Sequence, residues 1–94
     1  MATPHVPSPY TILMLGPADR QLTQLQKTHN RHVRSIIAAV MSLAENPRPA
    51  SSRKLVNRPE LRLRVGDYRI LYLVDDGRRT VTVSAIAHRR DVYR

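Results

Sequence analysis

The sequence has no cysteine, tryptophan or phenylalanine and only three glycines, and it sets seven acidic residues against sixteen basic ones in 94 positions. Without cysteine, neither a disulfide framework nor a thiolate metal site is available, which fits a cytoplasmic protein. Carboxylates are too scarce among the basic residues to suggest a two-metal nuclease centre, so no metal or cofactor is expected. No apolar run approaches the ~20 residues of a membrane span, and the N-terminus lacks a signal-peptide pattern, so no membrane partner is expected.

What is present is positive charge. The formal net charge is +9, and fourteen of the sixteen basic residues are arginine. The charge is uneven: residues 48–94 carry twelve Lys/Arg against five acids, and residues 1–47 carry four against two. Arginine has a planar fork that grips phosphate and stacks on bases. A polyanionic partner is the leading expectation, with nucleic acid first.

The chain is organised around residues 61–75. Leu61, Leu63 and Val65 alternate with Arg62 and Arg64, the period-two pattern of a half-buried strand. Gly66-Asp67 is a two-residue turn signal, and Tyr68 to Val74 reads as a second, more central strand. The turn fixes the register: Val65 faces Tyr68, Arg64 faces Arg69 and Leu63 faces Ile70. One face then carries Leu61, Leu63, Val65, Tyr68, Ile70 and Tyr72, and the other carries Arg62, Arg64 and Arg69. Like charges opposed across a hairpin destabilise it. A sheet that brings three arginines together is expected to bind a polyanion there.

Residues 1–9 hold three prolines and read as a mobile tail; residues 10–94 read as one domain. Tyr10 to Leu15 is a short apolar run and a first strand. Pro17 opens a helix with Ala18, Leu22 and Leu25 on one face, ending near His29. Asn30 is placed to cap a second helix, whose stripe of Val33, Ile36, Ile37, Val40, Met41 and Ala44 is read as core and which Pro47 stops near Asn46. The connection 48–58 is a Pro/Ser/Arg-rich loop holding the cluster Arg53-Lys54-Leu55. A two-residue turn at Asp76-Gly77 would place Tyr72 opposite Val81, Ile70 opposite Val83, Leu71 opposite Thr82 and Arg69 opposite Ser84. Leu71, Leu73 and Ile86 would then be apolar patches on the basic face. The expected fold is α+β: a small antiparallel sheet with an N-terminal helical hairpin on one face, in the order β-α-α-β-β-β.

The last stretch, His88-Arg89-Arg90-Asp91-Val92-Tyr93-Arg94, adds an imidazole, a phenol and three guanidinium groups to the end of the third strand of that meander. Cleavage of RNA by its own 2′-hydroxyl needs a base, an acid for the 5′-leaving oxygen, and cations for the charge on phosphorus. His88 supplies the side-chain type that exchanges protons near neutral pH. Tyr93 supplies a phenol whose ionised form is favoured by neighbouring guanidinium charge. Either is a candidate general base.

The run LRLRVGDYRILYLVDD, followed by TVTVSAIAHRRDVYR, resembles the RelE/ParE toxin superfamily of bacterial type II toxin–antitoxin systems. The combination of GDYR and HRRDVY is closer to its RelE branch. The resemblance implies an mRNA interferase, a metal-independent endoribonuclease that inhibits translation by cutting mRNA in the ribosomal A site beside ribosomal RNA. It also implies a cognate antitoxin as partner. By motif, Arg69 matches the arginine that stabilises the transition state, Arg89 a second catalytic arginine and Tyr93 the tyrosine that acts at the 2′-hydroxyl. Arg62 and Arg64 fall where some members carry lysines that contact RNA, and Arg53, Lys54 and Arg90 extend that RNA-binding surface. Arginine in place of lysine removes proton exchange near neutrality. The alternative is a ParE-like toxin that binds and poisons DNA gyrase without chemistry.

Overall fold

Proline has no amide hydrogen and a preset helical φ, so Pro17 starts a helix where the chain leaves its first strand. In a computed structural model, which describes residues 9–90, strand β1 spans Thr11–Met14 and helix α1 spans Gly16–Lys27. Asp19 lies in the positive first turn of α1. His29 then adopts the left-handed conformation, with φ 53°. The amides of His29 and Asn30 return to the carbonyls of Gln26 (3.1 Å) and Leu25 (3.0 Å), which terminates the helix. Asn30 acts two residues ahead of the N-cap position expected of it. Its Oδ1 accepts the His32 amide at 2.8 Å, and helix α2 follows over Val33–Ser42 with His32 as N-cap residue. The helix stops before Asn46 because its last turn tightens: the amides of Leu43, Ala44 and Glu45 bond three residues back.

The remaining strands are β2 (Arg53–Lys54), β3 (Leu61–Val65), β4 (Tyr68–Asp75) and β5 (Thr80–His88), in the sheet order β1-β5-β4-β3-β2. The fold is α+β with both helices on one side of the sheet, as the sequence predicts. Two features add to that expectation. β1 joins β5 in parallel, so the open sheet is mixed, and Arg53–Lys54 leave the expected loop to pair antiparallel with β3.

The first hairpin has the predicted register. The second does not. Its loop has four residues, 76–79, closed by the Asp75 carboxylate on the Arg78 amide (3.0 Å) and by Arg79 at φ 51°. Tyr72 therefore faces Val83, and Leu73, not Leu71, faces Thr82. A β-bulge follows. Ser84 is the extra residue, and its hydroxyl donates to the Leu71 carbonyl at 3.1 Å. Beyond it Leu71 faces Ala85, Ile70 faces Ile86, Arg69 faces Ala87 and Tyr68 faces His88. One inserted residue exchanges the two faces of a strand. Ile86, expected on the basic face, is thereby turned into the core.

That core lies between the sheet and the helices, with α1 against β5 and α2 against β3. It joins Ala18, Ile36, Val40 and Leu43 to Leu63, Ile70, Tyr72, Val81, Val83 and Ile86. Leu43, outside the predicted stripe, is fully buried, whereas Met41 is 62% exposed rather than core. Val40 and Leu43, three residues apart, share the inner face, and Met41 projects beside it. Tyr72 is buried with its hydroxyl donating to the Pro47 carbonyl at 2.8 Å, and burial raises its pKa.

At the far end of the sheet the Asp76 carboxylate gathers three elements. It accepts the Tyr10 hydroxyl at 2.6 Å and both Nη groups of Arg48 at 3.0 and 2.9 Å, while Arg79 lies 4.4 Å over the Tyr10 ring. The Arg48 guanidinium, then the Tyr10 hydroxyl, lower the Asp76 pKa from 3.8 to about 2. A carboxylate with a depressed folded pKa stabilises the fold above its unfolded pKa. We expect that contribution to be complete above pH 3.8 and lost as pH falls through about 2. Asp76→Asn should lower the melting temperature at neutral pH and flatten its acid limb. Melts of both proteins across that interval check this; parallel acid limbs would refute it.

Candidate nucleic-acid interface

Residues directly opposed across strands share a sheet face. Two rungs of the helix-free face therefore carry its arginines. One runs Arg53, Arg62, Leu71, Ala85, and the next runs Arg64, Arg69, Ala87. Arg62, Arg64 and Arg69 meet as predicted, and the short strand β2 brings Arg53 beside Arg62. Arg53 turns its guanidinium back to the Ala50 and Ser52 carbonyls, each at 2.9 Å. Lys54 does not join them: its partner Leu61 faces Tyr72, on the helix-covered side. Both arginine-to-arginine contacts oppose like charges and act against the sheet.

Arg69 is not the solvent-exposed side chain that alternation implies. It is 7% exposed, and its Nη1 donates to the carbonyls of Gly66 (3.2 Å) and Tyr68 (3.1 Å). Leu71 is buried too, at 5%, so the expected apolar patch shrinks to Leu73. A central strand has neighbours on both sides, which alternation along one strand does not reveal. Leu13 of β1 meets Leu73 through their shared partner Thr82, forming a modest apolar end to this face.

His88 is the main departure. The bulge places it on the helix-covered side, opposite Tyr68 and away from the arginines. Its ring lies edge-on to Tyr68 at 5.4 Å and 84°, and His32 flanks the same tyrosine at 5.6 Å. Asn30 Nδ2 donates to the Tyr68 hydroxyl at 3.0 Å. The His88 Nδ1 accepts the Arg90 amide at 3.3 Å, while the Arg90 side chain is exposed. Tyr93 lies outside the described residues.

Sequence reasoning missed that the Gly66-Asp67 turn ties together two of the candidate arginines. The Gly66 carbonyl holds Arg69. The Asp67 carbonyl accepts the Arg89 amide at 2.7 Å, and the Asp67 carboxylate lies 3.8 Å from Arg89 Nε. The turn is backed by the helical connection: a Cβ on Gly66, whose φ is 57°, would lie 3.2 Å from the His32 ring. Turn chemistry signals the hairpin but gives no hint of this packing. The result is a cationic face in which Arg53 and Arg64 are exposed around a buried Arg69, a charge pattern suited to the phosphates of an extended nucleic acid. Among the described residues no cluster of three or more His, Asp or Glu is placed to hold a metal, and no helix is long and apolar enough to cross a membrane.

Residues 12–93 match the family model described as the ParE toxin of the type II toxin–antitoxin system parDE. No curated protein sequence matches the chain. Among solved structures, the RelBE2 toxin–antitoxin complex of Mycobacterium tuberculosis is similar at 26% identity and TM-score 0.71, covering 85% of this chain and 98% of that one. The archaeal RelE–RelB complex of Pyrococcus horikoshii is similar at 22% identity and TM-score 0.71, covering 88% and 98%. The YoeB dimer of Staphylococcus aureus shares the fold at 18% identity and TM-score 0.71, covering 86% and 98%.

Because Arg69 is buried and bonded to two carbonyls, Arg69→Ala should cost about 1–3 kcal/mol of stability by leaving those acceptors unmet. The exposed Arg64→Ala should stay within about 0.5 kcal/mol of the parent, or gain slightly from relieved repulsion. Urea titration of both variants checks this, and equal midpoints would contradict the structural role given to Arg69.

Proposed function

This chain belongs to the ParE toxin family of type II toxin–antitoxin systems, and from that premise we propose that it is the endoribonuclease toxin of such a pair, cutting mRNA on the ribosome. The observation that carries this reading is the arginine face, where Arg64 and Arg69 stand opposed on one rung and Arg89 is tied to the same turn. A surface that only needed to be soluble would not oppose like charges on adjacent strands. In RNA cleavage by the 2′-hydroxyl, the phosphorane gains a negative charge, and preorganised guanidinium groups stabilise it. Arg69, fixed by two carbonyls, takes that role; Arg89 is the second; Arg62, Arg64, Arg53 and Arg90 hold the RNA backbone, and Lys54 contributes only from the sheet edge. With His88 turned to the helices, we assign the base to Tyr93.

The family match itself favours a second reading, a toxin that binds and poisons gyrase and needs no base. The relatives from M. tuberculosis and P. horikoshii are toxin–antitoxin complexes. By the same logic we assign this chain a cognate antitoxin, an acidic amphipathic segment that folds onto the cationic face and the Leu73 patch.

The experiment is single-turnover cleavage of mRNA with and without ribosomes, beside a DNA supercoiling assay. Arg69→Ala and Arg89→Ala, compared at temperatures where melts show them folded, should each lose roughly 10²–10³ in rate, as for other donors to developing oxyanions. Tyr93→Phe should lose a comparable factor, and His88→Gln little. Folded variants that all cleave like the parent would end the nuclease reading, and inhibition of supercoiling would replace it.

A further inference from the structure

We propose that Asp67 is a positioning residue for Arg89, and so sets the turnover rate of the site rather than its affinity for RNA. The inference deepens the nuclease reading and rests on it. Asp67 is the only acid between Leu61 and Val74, in a stretch that includes Arg62, Arg64 and Arg69. A carboxylate there weakens the attraction for a polyanion, so binding alone does not account for it.

Its contacts suggest what it does. Arg89 lies beyond the end of β5, where no cross-strand partner orients it. Two contacts with Asp67 replace one: the main-chain bond at 2.7 Å fixes the Arg89 backbone, and the carboxylate lies 3.8 Å from Nε, at ion-pair rather than hydrogen-bond distance. Both side chains of this pair are more than half exposed, so the pair adds little to stability. It also differs from Arg48 and Asp76, where a carboxylate engages both Nη groups at 3.0 and 2.9 Å and so occupies the fork. An ion pair on the Nε side biases the guanidinium toward Asp67 and leaves its terminal Nη groups available to a phosphate. Behind the turn, the His32 ring and the Asn30 bond to Tyr68 keep Gly66-Asp67 in place. The orientation of Arg89 is thereby referred back to the rigid connection between the helices.

The test uses the full chain and ribosome-bound mRNA, with Asp67→Asn, Asp67→Glu, Arg89→Ala and the Asp67→Asn/Arg89→Ala pair. Asp67→Asn should lower kcat about tenfold through lost orientation. It should leave KM unchanged or reduced, since a negative charge has left a cationic surface, and the melting temperature should not move. Asp67→Glu should recover most of the rate, and Asp67→Asn should add no further loss once Arg89 is alanine. Separately, 15N relaxation at Arg89 Nε should show a lower order parameter in Asp67→Asn than in the parent. An active parent whose Asp67→Asn variant keeps full kcat, or loses as much in the Arg89→Ala background, overturns the proposal. So does an unchanged Nε order parameter. A parent that cleaves nothing refutes the nuclease reading and the catalytic part of this inference, and the relaxation data then decide whether Asp67 orients Arg89.

Discussion

One extra residue in β5 decides what each face of the sheet presents. If the strand alternated without interruption, Ile86 and His88 would stand among the arginines and Ala85 and Ala87 would line the core. The bulge at Ser84, pinned by its hydroxyl to the Leu71 carbonyl, reverses that. A large aliphatic side chain fills the core where an alanine would leave a void, a difference of the kind that costs about 2–5 kcal/mol when introduced by mutation. On the other face the small alanines stand next to Leu71 and Arg69, and both of those side chains are buried. The composition of both faces therefore depends on the same local irregularity, and bulges are a common way for a strand to re-aim its side chains.

The arginine face works against the sheet that carries it. Arg53 faces Arg62 and Arg64 faces Arg69, and neither pair favours folding. The cost is borne by the opposite face, where Leu63, Ile70, Tyr72, Val81, Val83 and Ile86 are all nearly or fully buried against the helices. Arg69 is partly absorbed into the structure as well, because main-chain carbonyls accept its hydrogen bonds. Local choices that contradict the fold while the rest agrees with it mark a site held for a purpose other than stability. A polyanion laid across these rungs would remove the repulsion, so binding and sheet stability are coupled in sign.

Much of this was legible in the sequence. The alternation through Leu61–Val65 and the Gly66-Asp67 turn fixed the first hairpin to the residue, and the stripe through Ile36 and Val40 placed α2 on the core. The RelE/ParE superfamily was legible too, in the runs LRLRVGDYRILYLVDD and TVTVSAIAHRRDVYR, whereas the family model that matches is the ParE toxin and not the RelE branch that GDYR and HRRDVY point to. What stayed hidden was non-local or depended on one residue's conformation. Nothing in Thr-Val-Ser-Ala-Ile announces a bulge, since serine is acceptable in a regular strand, and without it the face of His88 is assigned wrongly. The four-residue turn was disguised by Asp76-Gly77, a strong two-residue signal overridden by the Asp75 side chain and the left-handed Arg79. The burial of Arg69 and Leu71 is not visible in the alternation along their own strand, and pairing β2 with β3 needed Leu55 to bond the Glu60 carbonyl across a loop that composition marks only as irregular.

The sheet's borders bear on how the free chain behaves in solution. An open strand edge is a template on which a second chain can pair and start to aggregate. Here β1 offers only four residues, and β2 offers two, an arginine and a lysine. Where β5 runs on beyond β1, Gln21 from α1 accepts the Ile86 amide at 2.7 Å and occupies a position that another strand would need. The short β1, the charged β2 and the helical side chain at Ile86 each shorten the run of open backbone on which a second copy could pair, and Leu63–Val65 of β3, which extend past β2, are the stretch these devices do not cover.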